Sequence, residues 1–191
     1  MSVSSVDEMN KFWATPCKEL IKQQNLIVID SKDTLINGFR ALVKNKISSA
    51  PVYDKQANEY VGMFDYRDVL EYLLLVFHEK EFSAESEEEE FVLSEIVKKA
   101  SEGHELTMKY AADLSRKNPF ISVDENDSIE SVVKHMMVPK HVHRVNVTDK
   151  EKRVVGIISQ TDILNFVSRH INLFAHIVCK TVQIFYELLD C

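Results

Sequence analysis

Residues 26–70, LIVIDSKDTLINGFRALVKNKISSAPVYDKQANEYVGMFDYRDVL, align with residues 120–164, FISVDENDSIESVVKHMMVPKHVHRVNVTDKEKRVVGIISQTDIL. Asp30, Gly62 and Asp68 recur at one constant spacing as Asp124, Gly156 and Asp162. Asp54 and Asp149 are offset by one further residue, so a single-residue shift opens and closes inside the match. This internal repeat constrains the fold more than any other feature of the sequence. Each copy must be one supersecondary unit, too small to bury its own sheet, and two copies are expected to share a core.

Both copies read as the same string of elements. A short β-branched run (27–29; 121–123) ends in an acidic turn. Asp33 and Asp127 stand just ahead of Thr34-Leu35 and Ser128-Ile129, as residues that start helices do. Leu35, Phe39, Leu42 and Val43 then fall three and four apart, as do Ile129, Val132, Val133 and Met136, which is the spacing of a helix face. Two strands joined by polar turns follow, 50–53 with 60–64 and 145–148 with 154–159, and a second helix opens at Asp68 or Asp162. The order β-α-β-β-α, written twice, predicts an α+β fold.

Composition narrows the function classes. The chain has 191 residues, 45% of them apolar, enough for one domain or two small ones. Its net charge is −7, and Glu85, Glu87, Glu88, Glu89 and Glu90 supply much of it as a solvated acidic connector. No cluster of Lys and Arg provides the basic face that a nucleic-acid binder needs. Cys17, Cys179 and Cys191 show no CxxC spacing, which fits a reducing compartment without a disulfide framework. Residues 1–15 lack the basic and apolar regions of a secretory signal. The apolar tail from Leu173 to Leu189 is interrupted by His176, Lys180, Gln183 and Glu187, the pattern of an amphipathic packing helix rather than a lipid-spanning one. A cytoplasmic location off the membrane is expected.

The repeat, its element order and the closing pattern G-h-h-S-x-T-D-h-L at Gly156–Leu164 (h, apolar) resemble the CBS domain, whose tandem pair is the Bateman module. The resemblance covers both copies and most of residues 10–170. It implies two β-α-β-β-α CBS repeats stacked through their sheets as a pseudo-twofold pair, with an extra C-terminal helix. Repeat 1 with its leading segment would span 10–78, an acidic connector and helix 79–110, repeat 2 111–170, and an amphipathic helix 171–191. The segments HRVNVTDKEKRVVGIISQTDIL and APVYDKQANEYVGMFDYRDVL are similar to the regulatory gamma subunit of the AMP-activated protein kinase, which carries two CBS pairs where this chain has one.

The second copy holds the candidate ligand groups. A strand ending at Ile158 turns through Ser159, Gln160 and Thr161 into a helix, whose unpaired N–H groups and dipole favour an anion. Ser159 and Thr161 carry hydroxyls able to donate to phosphate, and Asp162 is an acceptor suited to ribose hydroxyls. The same Ser-x-x-Asp is also an ordinary helix cap, and the two roles are compatible. By resemblance, His143 and Arg144 would meet the phosphate. Phe120, Ile121, Val145 and Ile157 would wall the adenine, with Asn118 and Pro119 in the segment entering the first strand. His141 and His143 form an HxH pair, but no third ligand completes a metal site by spacing, so none is expected.

The first copy departs from this pattern. It keeps Asp68 but places Asp65 at the position of Ser159, and Ser48-Ser49 replaces His143-Arg144. A carboxylate there would repel phosphate unless Arg67 offsets it, so the pair is expected to be asymmetric, with a weak, uncharged-ligand or empty site in copy one. No GxSxG, HExxH, P-loop or GxGxxG occurs, and catalysis is not expected. The resemblance implies a regulatory module that senses an adenosine nucleotide (AMP, ADP or ATP, or a relative such as S-adenosylmethionine) in the cleft between the copies, needs no further cofactor, and forms a homodimer. The alternative is a protein-interaction scaffold with a lapsed ligand pocket and a regulated protein partner.

Overall fold

In the computed structural model, residues 3–22, 24–77, 87–137 and 142–174 are described. The elements run α1 (Val3–Trp13), α2 (Lys18–Ile21), β1 (Ile29–Asp30), α3 (Leu35–Asn45), β2 (Ser49–Asp54), β3 (Glu59–Asp65), α4 (Tyr66–Phe77), α5 (Glu87–Ser101), α6 (Met108–Ala111), β4 (Ser122–Asp124), α7 (Ile129–Met137), β5 (Arg144–Thr148), β6 (Val154–Ser159) and α8 (Gln160–Arg169). Each β-α-β-β-α string is present, and a pair of leading helices precedes each one. The repeat is therefore longer than the aligned sequence.

In each repeat the first strand pairs parallel with the second and the second antiparallel with the third, giving the orders β1-β2-β3 and β4-β5-β6. Both hairpins carry a bulge at the same place, between Val52 and Tyr53 and between Val147 and Thr148. The helices after the first strands are capped by Thr34, which accepts from the Asn37 N–H (3.3 Å), and by Ser128, which accepts from the Ser131 N–H (3.2 Å). Asp33 and Asp127 stand one residue earlier, in the turn; Asp127 accepts from the Asp124 N–H instead (2.9 Å).

The chain divides into two compact units, 26–120 and 1–25 with 121–191. These units do not coincide with the repeats, because each leading helix pair packs on the repeat that it does not introduce. In the first unit, Met108 and Lys109 donate their N–H groups to the carbonyls of Asp33 and Ser31, and Leu35 donates to Leu106 (2.7, 2.9 and 2.8 Å). In the second unit the same three bonds recur from Cys17 to Asp127, Lys18 to Glu125 and Ile129 to Thr15 (2.8, 2.9 and 2.9 Å). The segment before repeat 1 thus completes repeat 2.

The two cores follow from this. Ile29, Leu35, Leu42, Ala50, Val52 and Phe64 enclose Met108 and Ala111, while Val123, Ile129, Val132, Val145, Val147 and Ile158 enclose Cys17 and Ile21. Gly156 is required by this packing: a Cβ there would lie 2.7 Å from the Cβ of Ile21. The equivalent Gly62 faces Ala112 with more room, 3.3 Å. At the end of α1, Phe12 stacks on Phe166 of α8 (centroids 4.8 Å apart). Among the described residues no helix is long and apolar enough to cross a membrane. Residues 175–191, and with them most of the expected C-terminal helix, lie outside the described residues, as do 78–86 of the acidic connector.

Candidate functional site

The end of the second repeat's hairpin gathers five of the nominated residues. Antiparallel pairing sets Arg144 opposite Ser159, and α8 begins at the next residue. The Gln160 N–H donates to the His143 carbonyl (3.1 Å), and His143 Nδ1 lies 3.3 Å from Gln160 Oε1. His143, Arg144, Ser159, Thr161 and Asp162 therefore share one corner of the unit.

The helix opens at Gln160, two residues earlier than the sequence indicates, because Asp162 is the third residue of a capping box rather than its start. The Asp162 N–H donates to Ser159 Oγ (3.2 Å), while Asp162 Oδ2 accepts from both the Ser159 N–H (2.8 Å) and Oγ (2.6 Å). Asp162 Oδ1 takes no part in the cap. Asp162, Ser159 and Arg144 are half-buried and Thr161 is exposed, so this corner combines a rigid backbone with accessible polar atoms.

The apolar nominees divide. Val145 is fully buried on the core face of β5, so its side chain belongs to the core. Asn146, next along the strand, points to the other face. It is also buried, and its Nδ2 donates to the Ile121 carbonyl (3.1 Å) while its Oδ1 has no partner. Ile157 is half-buried, and the side-chain amide of Gln24 brackets its backbone, donating to its carbonyl (2.6 Å) and accepting from its N–H (2.9 Å). Phe120 and Asp68 fall in the unit of the first repeat, where Phe120 stacks on Tyr60 (5.0 Å). Asn146 and Gln24 were not legible as site residues. A lone Asn in a Val-rich strand was the available signal for the first, and Gln24 carried none.

The first repeat presents a different corner. Asp65, paired with Ser49 as Ser159 is with Arg144, is buried at the start of α4. Its Oδ1 accepts from the Arg67 N–H (2.7 Å), and its Oδ2 accepts from Arg67 Nε and Nη2 (3.0 and 2.7 Å). Asp68 is fully buried and accepts from the N–H groups of Asp65 (2.7 Å) and Ser115 (2.9 Å). Burial pushes its carboxyl up to about 6. Asp113 is raised for the same reason and accepts from the Asn118 N–H (3.2 Å).

Among the described residues no three His, Cys, Asp or Glu side chains are grouped to hold a metal ion; His141 lies outside them. A groove of about 280 Å3 between α1 and α8, floored by Phe12 and Phe166, includes none of the nominated residues.

The doubled strand-helix architecture has a counterpart among known proteins: the CBS domain family matches residues 17–75 and 111–169. The chain belongs to the CBS domain family. Protein SDS23 of Scheffersomyces stipitis is 31% identical over 183 residues, which cover 87% of this chain and 33% of that protein, so the chain spans about a third of the length of this relative. Two solved CBS structures share the fold at 18% identity. One is a CBS domain pair in complex with 5′-methylthioadenosine and S-adenosyl-L-methionine (TM-score 0.54, covering 82% of this chain and 98% of that one). The other is CBSX2 in complex with AMP (TM-score 0.54, covering 82% and 93%). The first family match begins at Cys17, so the CBS unit of sequence already includes α2, the segment that packs on the other repeat.

Proposed function

We propose that this CBS pair is a regulatory, non-catalytic module that binds an adenosine nucleotide at the start of α8. The observation that carries the reading is the register of β5 on β6, which sets Arg144 beside Ser159 at a helix start. A cation, the exposed Thr161 hydroxyl and the positive end of the α8 dipole come together there, a combination that favours phosphate. In this reading Arg144, His143 and Thr161 address the phosphate, and Asp162 Oδ1 addresses the ribose. Asn146 Oδ1 is an uncommitted acceptor for the exocyclic amine of adenine. The AMP and adenosyl ligands of the two related structures support the ligand class. Regulation follows if the bound and free conformations differ in affinity; about 1.4 kcal/mol is a tenfold bias.

Calorimetric titration with AMP, ADP and ATP tests the reading. The native chain is expected to bind at least one of them, and Asp162→Ala to weaken that binding by about tenfold or more. No heat and no shift in melting temperature at millimolar nucleotide would overturn it.

A further inference from the structure

The groove between α1 and α8 has walls from the two ends of the second unit. Glu8, Phe12 and Thr15, spaced four and three apart, stand along one face of α1 and its end, and Phe166, His170 and Leu173 come from α8 and the turn beyond it. Phe12 makes the floor, stacked on Phe166 (4.8 Å) and meeting His170 edge-on (5.4 Å). At about 280 Å3 the groove falls below the ~300–1,000 Å3 of an ordinary small-molecule pocket, a size that suits inserted side chains better than a whole ligand.

The path of the chain leads into it. α8 ends at Arg169, His170 turns the backbone, and residues 171–174 resume a helix. This turn brings the Phe174 ring edge-on to Phe12 (5.0 Å) and to Trp13 (6.2 Å), so the last described residue sits on the groove itself. Beyond Thr15 the groove is closed, because Pro16 bridges to Ser128 and Cys17 is buried in the core of repeat 2. At the other end Glu8 is exposed. A segment that continues from Phe174 along the groove therefore runs toward the start of α1. The sequence that follows has the pattern for this: Ile177, Val178, Thr181, Phe185 and Leu188 come three, four, seven, eleven and fourteen positions after Phe174, the spacing of one helix face, while His176, Lys180, Gln183 and Glu187 fall on the other. Residues 175–188 span about 21 Å as a helix, enough to cover the roughly 16 Å of α1.

We propose that the groove between α1 and α8 is the docking site for the chain's own residues 175–188, which lie in it as an amphipathic helix antiparallel to α1. The mode is a helix in an apolar groove, with Phe174 as its first anchor. The docked segment clamps α1, which reaches the second repeat from the far end of the chain, against α8.

The test is disulfide trapping in the full chain with Cys179→Ser and Cys191→Ser. Cys17 can stay, since burial pushes its thiol up to about 11 and keeps it unreactive. Glu8 stands one turn before Phe12, and Val178 one turn after Phe174, so Glu8→Cys and Val178→Cys are set to meet. Under mild oxidation this pair is expected to close an intrachain disulfide about tenfold faster, or more, than Asn10→Cys with Val178→Cys, because Asn10 is exposed on the opposite side of α1 and two cysteines bridge only within about 7 Å. A second measurement needs no cross-link. Trp13 is the single tryptophan of the chain, and Ile177→Asp with Phe185→Asp, both outside the described core, is expected to move its emission to longer wavelength and to speed hydrogen exchange across 7–15 by about tenfold. The proposal is overturned by equal closure rates for the two cysteine pairs, or by disulfides that join two chains instead of one, which would place a second copy's segment in the groove. Unchanged emission and exchange in the aspartate variant would overturn it as well.

Discussion

The two units are built from the same elements and closed by the same three backbone bonds, yet the chain reaches them by different routes. In the unit of the first repeat, α5 and α6 follow the sheet that they cover, and residues 26–120 are continuous. In the unit of the second, the covering helices α1 and α2 come from more than a hundred positions away, so Cys17 meets Asp127 only after a long loop is closed. Such closure costs chain entropy, although slowly with length, and puts the second unit's integrity on distant contacts. The helix-start corners differ in the opposite sense. The second repeat has a half-buried Ser-Asp cap, and the first has buried carboxyls around one partly exposed guanidinium. Equivalent backbones therefore do not imply equivalent ligands, because a single residue at the helix start, serine or aspartate, decides the local charge.

Cutting the distant contacts gives the largest expected effect. Removing residues 1–25 takes Cys17, Ile21 and three backbone bonds from the second unit, a loss of about 5 kcal/mol or more, comparable with the whole stability of a small domain. Hydrogen exchange on the shortened chain should find protection kept in 29–77 and lost in 122–169. Protection retained in both regions would show that the route of the chain does not matter.

The buried Asp68 should give the first unit a pH dependence. Its folded value, about 6, lies above the ordinary 3.8, so the folded unit holds a proton that the unfolded chain has released. The stability contributed is fully present below about pH 4 and is lost as pH rises through 6, amounting to about 3 kcal/mol by pH 7. Urea midpoints at pH 4.5 and pH 7 should differ less in Asp68→Asn than in the native chain. An identical difference in both would rule out Asp68 as the source.

A smaller contrast separates the paired glycines. Gly156→Ala drives a methyl into the branched Cβ of Ile21 and is expected to cost about 2 kcal/mol, whereas Gly62→Ala meets Ala112 and Asp113 at 3.3 Å or more and should cost less than about 1 kcal/mol. Urea denaturation of the two variants measures this directly. Equal costs would mean that α2 shifts as readily as the turn after α6.

Much of this architecture could be read in advance, and the misses have physical causes. The strands are short apolar runs bounded by polar turns, and the first helix of each repeat is a local pattern of apolar residues three and four apart. The second helices were placed two residues late because Asp68 and Asp162 bond back to the residue before the helix, and such carboxylates resemble starts. The leading helices escaped the repeat because their contact residues differ, Cys17 against Met108 and Ile21 against Ala112. A core position asks only for an apolar side chain of fitting volume. Val145 was carried over from the family resemblance as a ligand wall, and a position matched in sequence does not say which face of the strand is core. The sequence left open whether Arg67 offsets Asp65, and the structure pairs them because Asp65 precedes the helix and its carboxylate turns back over the first turn.

The amino-acid sequence by itself determined the doubled β-α-β-β-α string, the membership of both copies in one family of fold, and the exchange of serine for aspartate at the helix start. Each of these depends on residues within a few positions of one another, where backbone geometry and capping act. Only the tertiary structure decided which helices cover which sheet, that Gln24 brackets Ile157, and that Ser115 and Asn118 join Asp68 and Asp113. The reason is that long-range partners are selected by volume and by the satisfaction of buried polar groups in three dimensions, and no short-range pattern carries that information.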